Sequence, residues 1–189
     1  MKLQRIIPFA HQLLQSALTT GDIAVDCTAG NGHDTLFLAK LVEERGHVFG
    51  FDIQREAILQ TEKRLKEENI ANATLFNQGH ETIQKAIPET AKGKVKGAIF
   101  NLGYLPGGDK HIVTHASSTM EAIEQLLDFM PSEGLIVVVI YHGHPEGQEE
   151  KNALMDYLSQ LDQKKAHVLL YQFINQANDP PFIIAIEKR

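Results

Sequence analysis

The sequence predicts a doubly wound α/β domain, a mostly parallel sheet with helices on both faces. Three observations predict it. Short apolar runs alternate with amphipathic helical stretches along the whole chain. The run Leu135–Tyr141 is Val-rich and apolar on both faces, as a central parallel strand must be. The first apolar run leads into a glycine loop, Gly30-Asn31-Gly32, that opens a helical pattern.

Each element follows from its local pattern. Pro8 to Leu18 is an amphipathic helix ahead of the first strand, Ile23–Thr28. Asp34–Glu44 is a helix ended by Gly46, and His47–Asp52 is strand two. Arg55–Glu68 is a charged amphipathic helix with Ile58, Leu59 and Leu65 on its inner side. Ala73–Asn77 is strand three, Thr82–Ile87 a short helix before Pro88, and Ala98–Leu102 strand four. Thr114–Met130 is a long helix stopped by Pro131, then comes strand five, then a helix over Glu149–Leu161. His167–Ile174 and Phe182–Glu187 are the last two strands. The join between them is too short for a helix, so they should be antiparallel. No linker, repeat or low-complexity segment interrupts the pattern, so residues 1–189 read as one domain.

Composition narrows the function. Hydrophobic residues make up 43% of the 189, enough for a real core and against disorder. The longest apolar run is too short to cross a bilayer. No apolar signal core follows Met1-Lys2-Leu3-Gln4-Arg5, and the single Cys27 allows no intramolecular disulfide framework. A cytoplasmic protein is expected. The net charge of −6 disfavours broad non-specific nucleic-acid binding but leaves room for a local basic patch. Lys92, Lys94 and Lys96, Lys164-Lys165 and Lys188-Arg189 are candidates, though such clusters are more often just solvated surface.

Ligands of such sheets bind beyond the carboxyl ends of the strands. The first loop lacks side-chain bulk and precedes a helix N-terminus, which suits a nucleotide-like cofactor. Asp26 stands four residues before Gly30. A carboxylate beside this turn would repel a pyrophosphate but favour S-adenosylmethionine, which carries an ammonium and a sulfonium. Thr35 also replaces the third glycine of the dinucleotide fingerprint. Asp52, at the end of strand two, can accept both ribose hydroxyls and suits either nucleoside. The expected cofactor contacts are Asp26, Thr28, Gly30, Asn31, Gly32 and Asp34 in the first loop, with Asp52 and Gln54 in the second. Gln78 and His80 in the third loop and Asn101 in the fourth complete them. Gln78 suits an adenine edge or an ordinary turn equally.

The loop Asn101-Leu102-Gly103-Tyr104-Leu105-Pro106-Gly107-Gly108-Asp109-Lys110 is too unusual for a mere connection. The Asn101 carbonyl and a backbone carbonyl can hold a substrate amine, with Tyr104 packed over the reacting group. After strand five come His142 and His144. They suit substrate positioning or proton acceptance better than metal, because no convincing further ligands can be assigned. Whether His111 and His115, one helical turn apart, face the site stays open.

These four segments, Asp26–Asp34, Asn101–Lys110, Tyr141–His144 and Asn175–Phe182, together resemble one bacterial family. It is the tRNA 5-(aminomethyl)-2-thiouridine methyltransferases of Gram-positive bacteria and some plants, formerly labelled rRNA methylases. The resemblance spans essentially the whole chain, and the Asn101–Lys110 run is its specific part. It implies a Rossmann-like methyltransferase fold, with a seven-stranded sheet whose last strand is reversed. It implies S-adenosylmethionine as cofactor, no metal, and the anticodon stem-loop of Lys-, Glu- and Gln-type tRNA as partner. Asn101–Tyr104 then stands where amino-methylating relatives carry Asn-Pro-Pro-Tyr, with Leu102 and Gly103 in place of the prolines. The implied reaction converts a wobble aminomethyl group to methylaminomethyl. Asp109, His142 or His144 could accept the amine's proton, and a homodimer would enlarge the RNA surface. Methylation of rRNA or of a small-molecule amine is the alternative.

Overall fold

The structure, a computed structural model, describes residues 2–103, 114–143 and 145–189. The helices are α1 (Ile6–Ala17), α2 (His33–Val42), α3 (Arg55–Glu67), α4 (Ile83–Ala86), α5 (Ala116–Phe129) and α6 (Pro145–Ser159). The strands are β1 (Ile23–Asp26), β2 (His47–Phe51), β3 (Ala73–Phe76), β4 (Val95–Leu102), β5 (Leu135–Ile140), β6 (Ala166–Tyr171) and β7 (Phe182–Lys188). They form one sheet in the order β3-β2-β1-β4-β5-β7-β6. β7 lies antiparallel between β5 and β6, and β1 to β5 are parallel. The reversal of strand order at β1 and β4 opens a crevice above their carboxyl ends, where this class of sheet takes its ligand.

The two faces of β5 show why the sheet is covered on both sides. Ile136, Val138 and Ile140 join one buried cluster with Ile83, Ile123, Leu126 and Leu154 from α4, α5 and α6. Leu135, Val137 and Val139 join the other, with Ile6, Ala10, Leu14 and Leu38 from α1 and α2. Alternation with period two sends each set to its own layer.

Several element limits differ from the sequence reading, each for a local reason. Strand one stops at Asp26 because the chain turns into the glycine loop there, although the Cys27 N–H still donates to Ile99 O at 2.9 Å. α1 starts at Ile6, with Pro8 in its first turn, where a missing N–H leaves no intrahelical bond unmade. α6 starts at Pro145 for the same reason, four residues earlier than the charge pattern indicates. β4 starts at Val95, hidden in the sequence by Lys96 and Gly97. The ladder to β1 shifts register there, and a Cβ on Gly97 would lie 2.8 Å from Leu18. β6 ends at Tyr171, not Ile174. Tyr171 pairs with Ile183, so positions 173 and 174 would face Pro181 and Pro180, which have no N–H to give.

The lysine cluster around residue 94 is less open than its sequence suggests. Lys96 pairs with Asp22 at 3.0 Å and Lys92 with Glu89 at 3.5 Å. No helix among the described residues is long and apolar enough to cross a membrane.

Candidate active site

The loops after β1 to β5 and the β6–β7 join surround a cavity of about 1160 Å³. Of the residues predicted for the site, Thr28, Gly30, Asn31, Asp34, Asp52, Gln54, Gln78, His80, Asn101 and His142 line it. Tyr104, Asp109 and His144, together with His111, lie outside the described residues. Gly103 and Thr114 exchange two hydrogen bonds at the rim, the Gly103 N–H to Thr114 Oγ1 at 3.2 Å and the Thr114 N–H to Gly103 O at 3.4 Å.

Two of the predicted residues, Asp26 and Gly32, are not among those that line the cavity. Asp26 is fully buried beneath the loop and does not line the cavity. Its Oδ1 accepts the Thr28 N–H at 3.1 Å and its Oδ2 the Thr35 hydroxyl at 2.6 Å. Thr35, which breaks the dinucleotide fingerprint, is thus the partner that holds this acid. Gly32 also stands off the cavity. It caps α2 with φ 77°, and a Cβ there would come 2.9 Å from Thr61 Cα on α3. This glycine serves helix packing and backbone handedness.

Burial first, and then the charge of Asp34, pushes the Asp26 carboxyl from its ordinary range up to about 7. Folding therefore favours the protonated acid. That contribution is present below the unfolded value near 3.8 and is lost as pH rises through about 7. Asp26→Asn cannot ionise. Relative to wild type it should gain stability between about pH 4 and about pH 8, read from denaturant melts. Parallel pH profiles for the two proteins would refute the burial argument.

The second acid is placed differently. Asp52 accepts the Gly30 N–H through Oδ2 at 2.9 Å and the Gln54 N–H through Oδ1 at 2.8 Å. It faces the cavity, and each oxygen keeps a second lone pair for a hydroxyl donor. Burial raises its pKa, while the two backbone N–H groups pull it down. Beside it, Ile53 is 57% exposed in the cavity wall, a flat apolar surface. Sequence reasoning missed it, although an aliphatic residue directly after a binding acid is the available signal.

Asn101 is fixed twice. Its backbone N–H donates to Thr28 Oγ1 at 2.7 Å, and its side-chain N–H donates to Asp34 Oδ2. The amide oxygen is thereby left as the accepting group. The other oxygen of Asp34 meets His11 Nε2 at 2.6 Å, a residue that nothing in the sequence singled out. His80 is buried. Its Nδ1–H donates to Cys27 O at 3.0 Å, and burial lowers its pKa, so it is a neutral strut between two loops. Cys27 is buried with its thiol pKa pushed up, which rules out a ready nucleophile. His142 has both ring nitrogens engaged, by Pro180 O at 3.1 Å and by the Gln148 amide at 3.0 Å. That arrangement suits holding the β6–β7 join, whose Asp179 also lines the cavity, better than accepting a proton.

The described lining contains four carboxylates, Asp34, Asp52, Glu81 and Asp179, and neither lysine nor arginine. Such a wall attracts cations and repels phosphate. Among the described residues no three acid, His or Cys side chains converge as a metal-binding group.

Comparison with known proteins adds the following. The sequence profile of the family described as "Putative rRNA methylase" matches residues 48–187. The profile of protein-L-isoaspartate(D-aspartate) O-methyltransferase matches residues 4–89, the half that carries the glycine loop. The chain is 33% identical over 95% of its length to the chloroplastic tRNA (mnm(5)s(2)U34)-methyltransferase of Arabidopsis thaliana, covering 68% of that protein. A crystal structure named as a putative rRNA-methylase of Clostridium thermocellum superposes with TM-score 0.96 at 42% identity, with both chains fully covered. A putative methyltransferase of Streptococcus mutans, crystallised with SAH, superposes with TM-score 0.89 at 37% identity over 99% of each chain.

Proposed function

The chain belongs to the family described as putative rRNA methylases, and from that premise we propose that it methylates the 5-aminomethyl group of a wobble (2-thio)uridine in tRNA. It is an S-adenosylmethionine-dependent methyltransferase of Rossmann-like fold. The observation that carries the amine part of this reading is the wall of four carboxylates, with neither lysine nor arginine among its described residues. An aliphatic amine is cationic at neutral pH, with a pKa of about 10. So is the cofactor, and one acidic cavity suits both. A flat nucleobase amine or a phosphate would draw no benefit from that wall.

The residues fit the cofactor. Asp52 offers acceptors for two vicinal hydroxyls, Ile53 a surface for a base, and the bare Gly30 backbone a close approach. The cavity exceeds the usual size of a small-molecule site, about 300–1,000 Å³, so it has room for a nucleoside from the substrate as well. When bound, S-adenosylmethionine supplies an electrophilic methyl group. The chain's part is to orient the amine. Asn101, locked by Thr28 and Asp34, offers its carbonyl to an amine N–H and aims the lone pair. The relative's name supports the wobble position and the aminomethyl-thiouridine series. We place the protein in the cytoplasm with the tRNA pool.

Two measurements test this. Calorimetric titration should show S-adenosylhomocysteine binding and no competing NAD binding; tight NAD binding alone overturns the cofactor assignment. Nucleoside mass spectrometry of tRNA from a strain lacking the protein should show accumulated aminomethyl-thiouridine. An unchanged nucleoside profile defeats the tRNA reading and favours a small-molecule amine.

A further inference from the structure

His11 ties the first helix to the reactive corner of the cavity. Its Nε2 lies 2.6 Å from Asp34 Oδ1, while Asp34 Oδ2 accepts from the Asn101 amide. The ring stacks on Phe37 with centroids 3.8 Å apart and planes 7° from parallel, which fixes its orientation. Both side chains line the cavity, 26% and 13% exposed.

We propose that His11 accepts the proton of the substrate amine, with Asp34 holding the imidazole in the tautomer that can do so. The proposal rests on the amine reading above. An ammonium has no lone pair, so one proton must leave before methyl transfer. With Nε2 turned to Asp34, Nδ1, which makes no hydrogen bond within the described residues, is the ring nitrogen left to accept. One N–H bond of the ammonium breaks, and its electron pair stays on the amine nitrogen. The proton bonds to Nδ1, directly or through one water. The imidazolium so formed lies against the Asp34 carboxylate, as in the acid–imidazole pairs of hydrolases. The same carboxylate holds Asn101, the residue read above as orienting the amine.

The surroundings favour this site over the other histidines. Both ring nitrogens of His142 are engaged within the protein, and His80 is buried as a neutral strut. Among the described residues, Asp26 at the end of β1 and Tyr141 after β5 feel the Asp34 charge. Burial and the Asp34 charge raise both, so each stays protonated more readily.

The test is single-turnover methylation by the full chain, saturated with S-adenosylmethionine, of tRNA bearing the aminomethyl group. His11→Gln keeps an amide donor for Asp34 but cannot take a proton. It should be about 100-fold slower near pH 7. That deficit should shrink roughly tenfold per pH unit toward about pH 9, as solvent deprotonates the amine instead. Its affinity for S-adenosylhomocysteine, read by calorimetry, should stay within about threefold of wild type. Wild-type rates, a pH-independent deficit, or loss of cofactor affinity in parallel each overturn the proposal. Failure of the underlying reading looks different, because the wild-type protein would then leave this tRNA unmethylated at every pH.

Discussion

Replacing Asn101 by alanine is expected to slow single-turnover methyl transfer about 100- to 1,000-fold at saturating cofactor. Affinity for S-adenosylhomocysteine should change by no more than about threefold, because the backbone N–H bonded to Thr28 remains. The asymmetry follows from how the side chain is held. Its N–H is engaged by Asp34, which leaves its carbonyl to meet the substrate. Alanine removes the group that aims the amine and frees an oxygen of Asp34 to hold the ammonium in its unreactive form. Rapid-quench kinetics separates the two effects. A variant that binds weakly yet transfers normally once saturated would show Asn101 to be a cofactor contact only.

Gly32→Val should cost more than any single side chain of the cavity, because it attacks the frame. Gly32 adopts φ 77°, which a β-branched residue resists. A Cβ would also meet Thr61 at 2.9 Å from its Cα and 3.0 Å from its Oγ1. Thr61 is not idle there, since its hydroxyl donates to Gly30 O at 3.1 Å. Pushing α3 away therefore breaks a hydrogen bond that shapes the loop. A loss of about 4 kcal/mol or more is expected, enough to leave much of the protein unfolded. Thr61→Ala in the same chain should recover only part of it, because the nearest obstacle is main chain. Denaturant unfolding measures both. A Gly32→Val protein within about 1 kcal/mol of wild type would show that the loop yields without cost.

How much of this was readable in the sequence depends on the scale of the signal. The alternation of apolar runs and helices, the glycine loop and the short β6–β7 join gave the layered sheet and its reversed strand, because periodicity and loop length report directly on topology. Val95 and Pro145 were misplaced because lysines, a glycine and a proline resemble loop chemistry wherever they fall. Around the site, a strand-end loop could be recognised, but not which of its residues looks inward. Asp26 and Gly32 carry the motif, yet they lie under the loop and hold it. His11 was invisible for the opposite reason. It sits on a helix 23 residues from Asp34, and only the packing of α1 over the sheet brings the two together. Glu150 gave no warning either. In a run of charges it looks solvated, but it is buried and accepts the hydroxyls of Thr114 and Thr119.

The position of β7 bears on how the chain is made. β6 has one hydrogen-bonded neighbour, and that neighbour is synthesised after it. Until β7 arrives, the apolar edge of β5 stands open, and Val168, Leu169 and Leu170 belong to a strand without a partner. Chains emerge from the ribosome N-terminal end first, and unpaired strand edges recruit one another. The half of the sheet that carries Asp52 and the glycine loop can assemble early. Asp179 and the carbonyl of Pro180 that holds His142 take their places only as β7 inserts. A nascent chain stalled before Phe182 is thus a folded cofactor half joined to an adhesive edge, the form most in need of a chaperone.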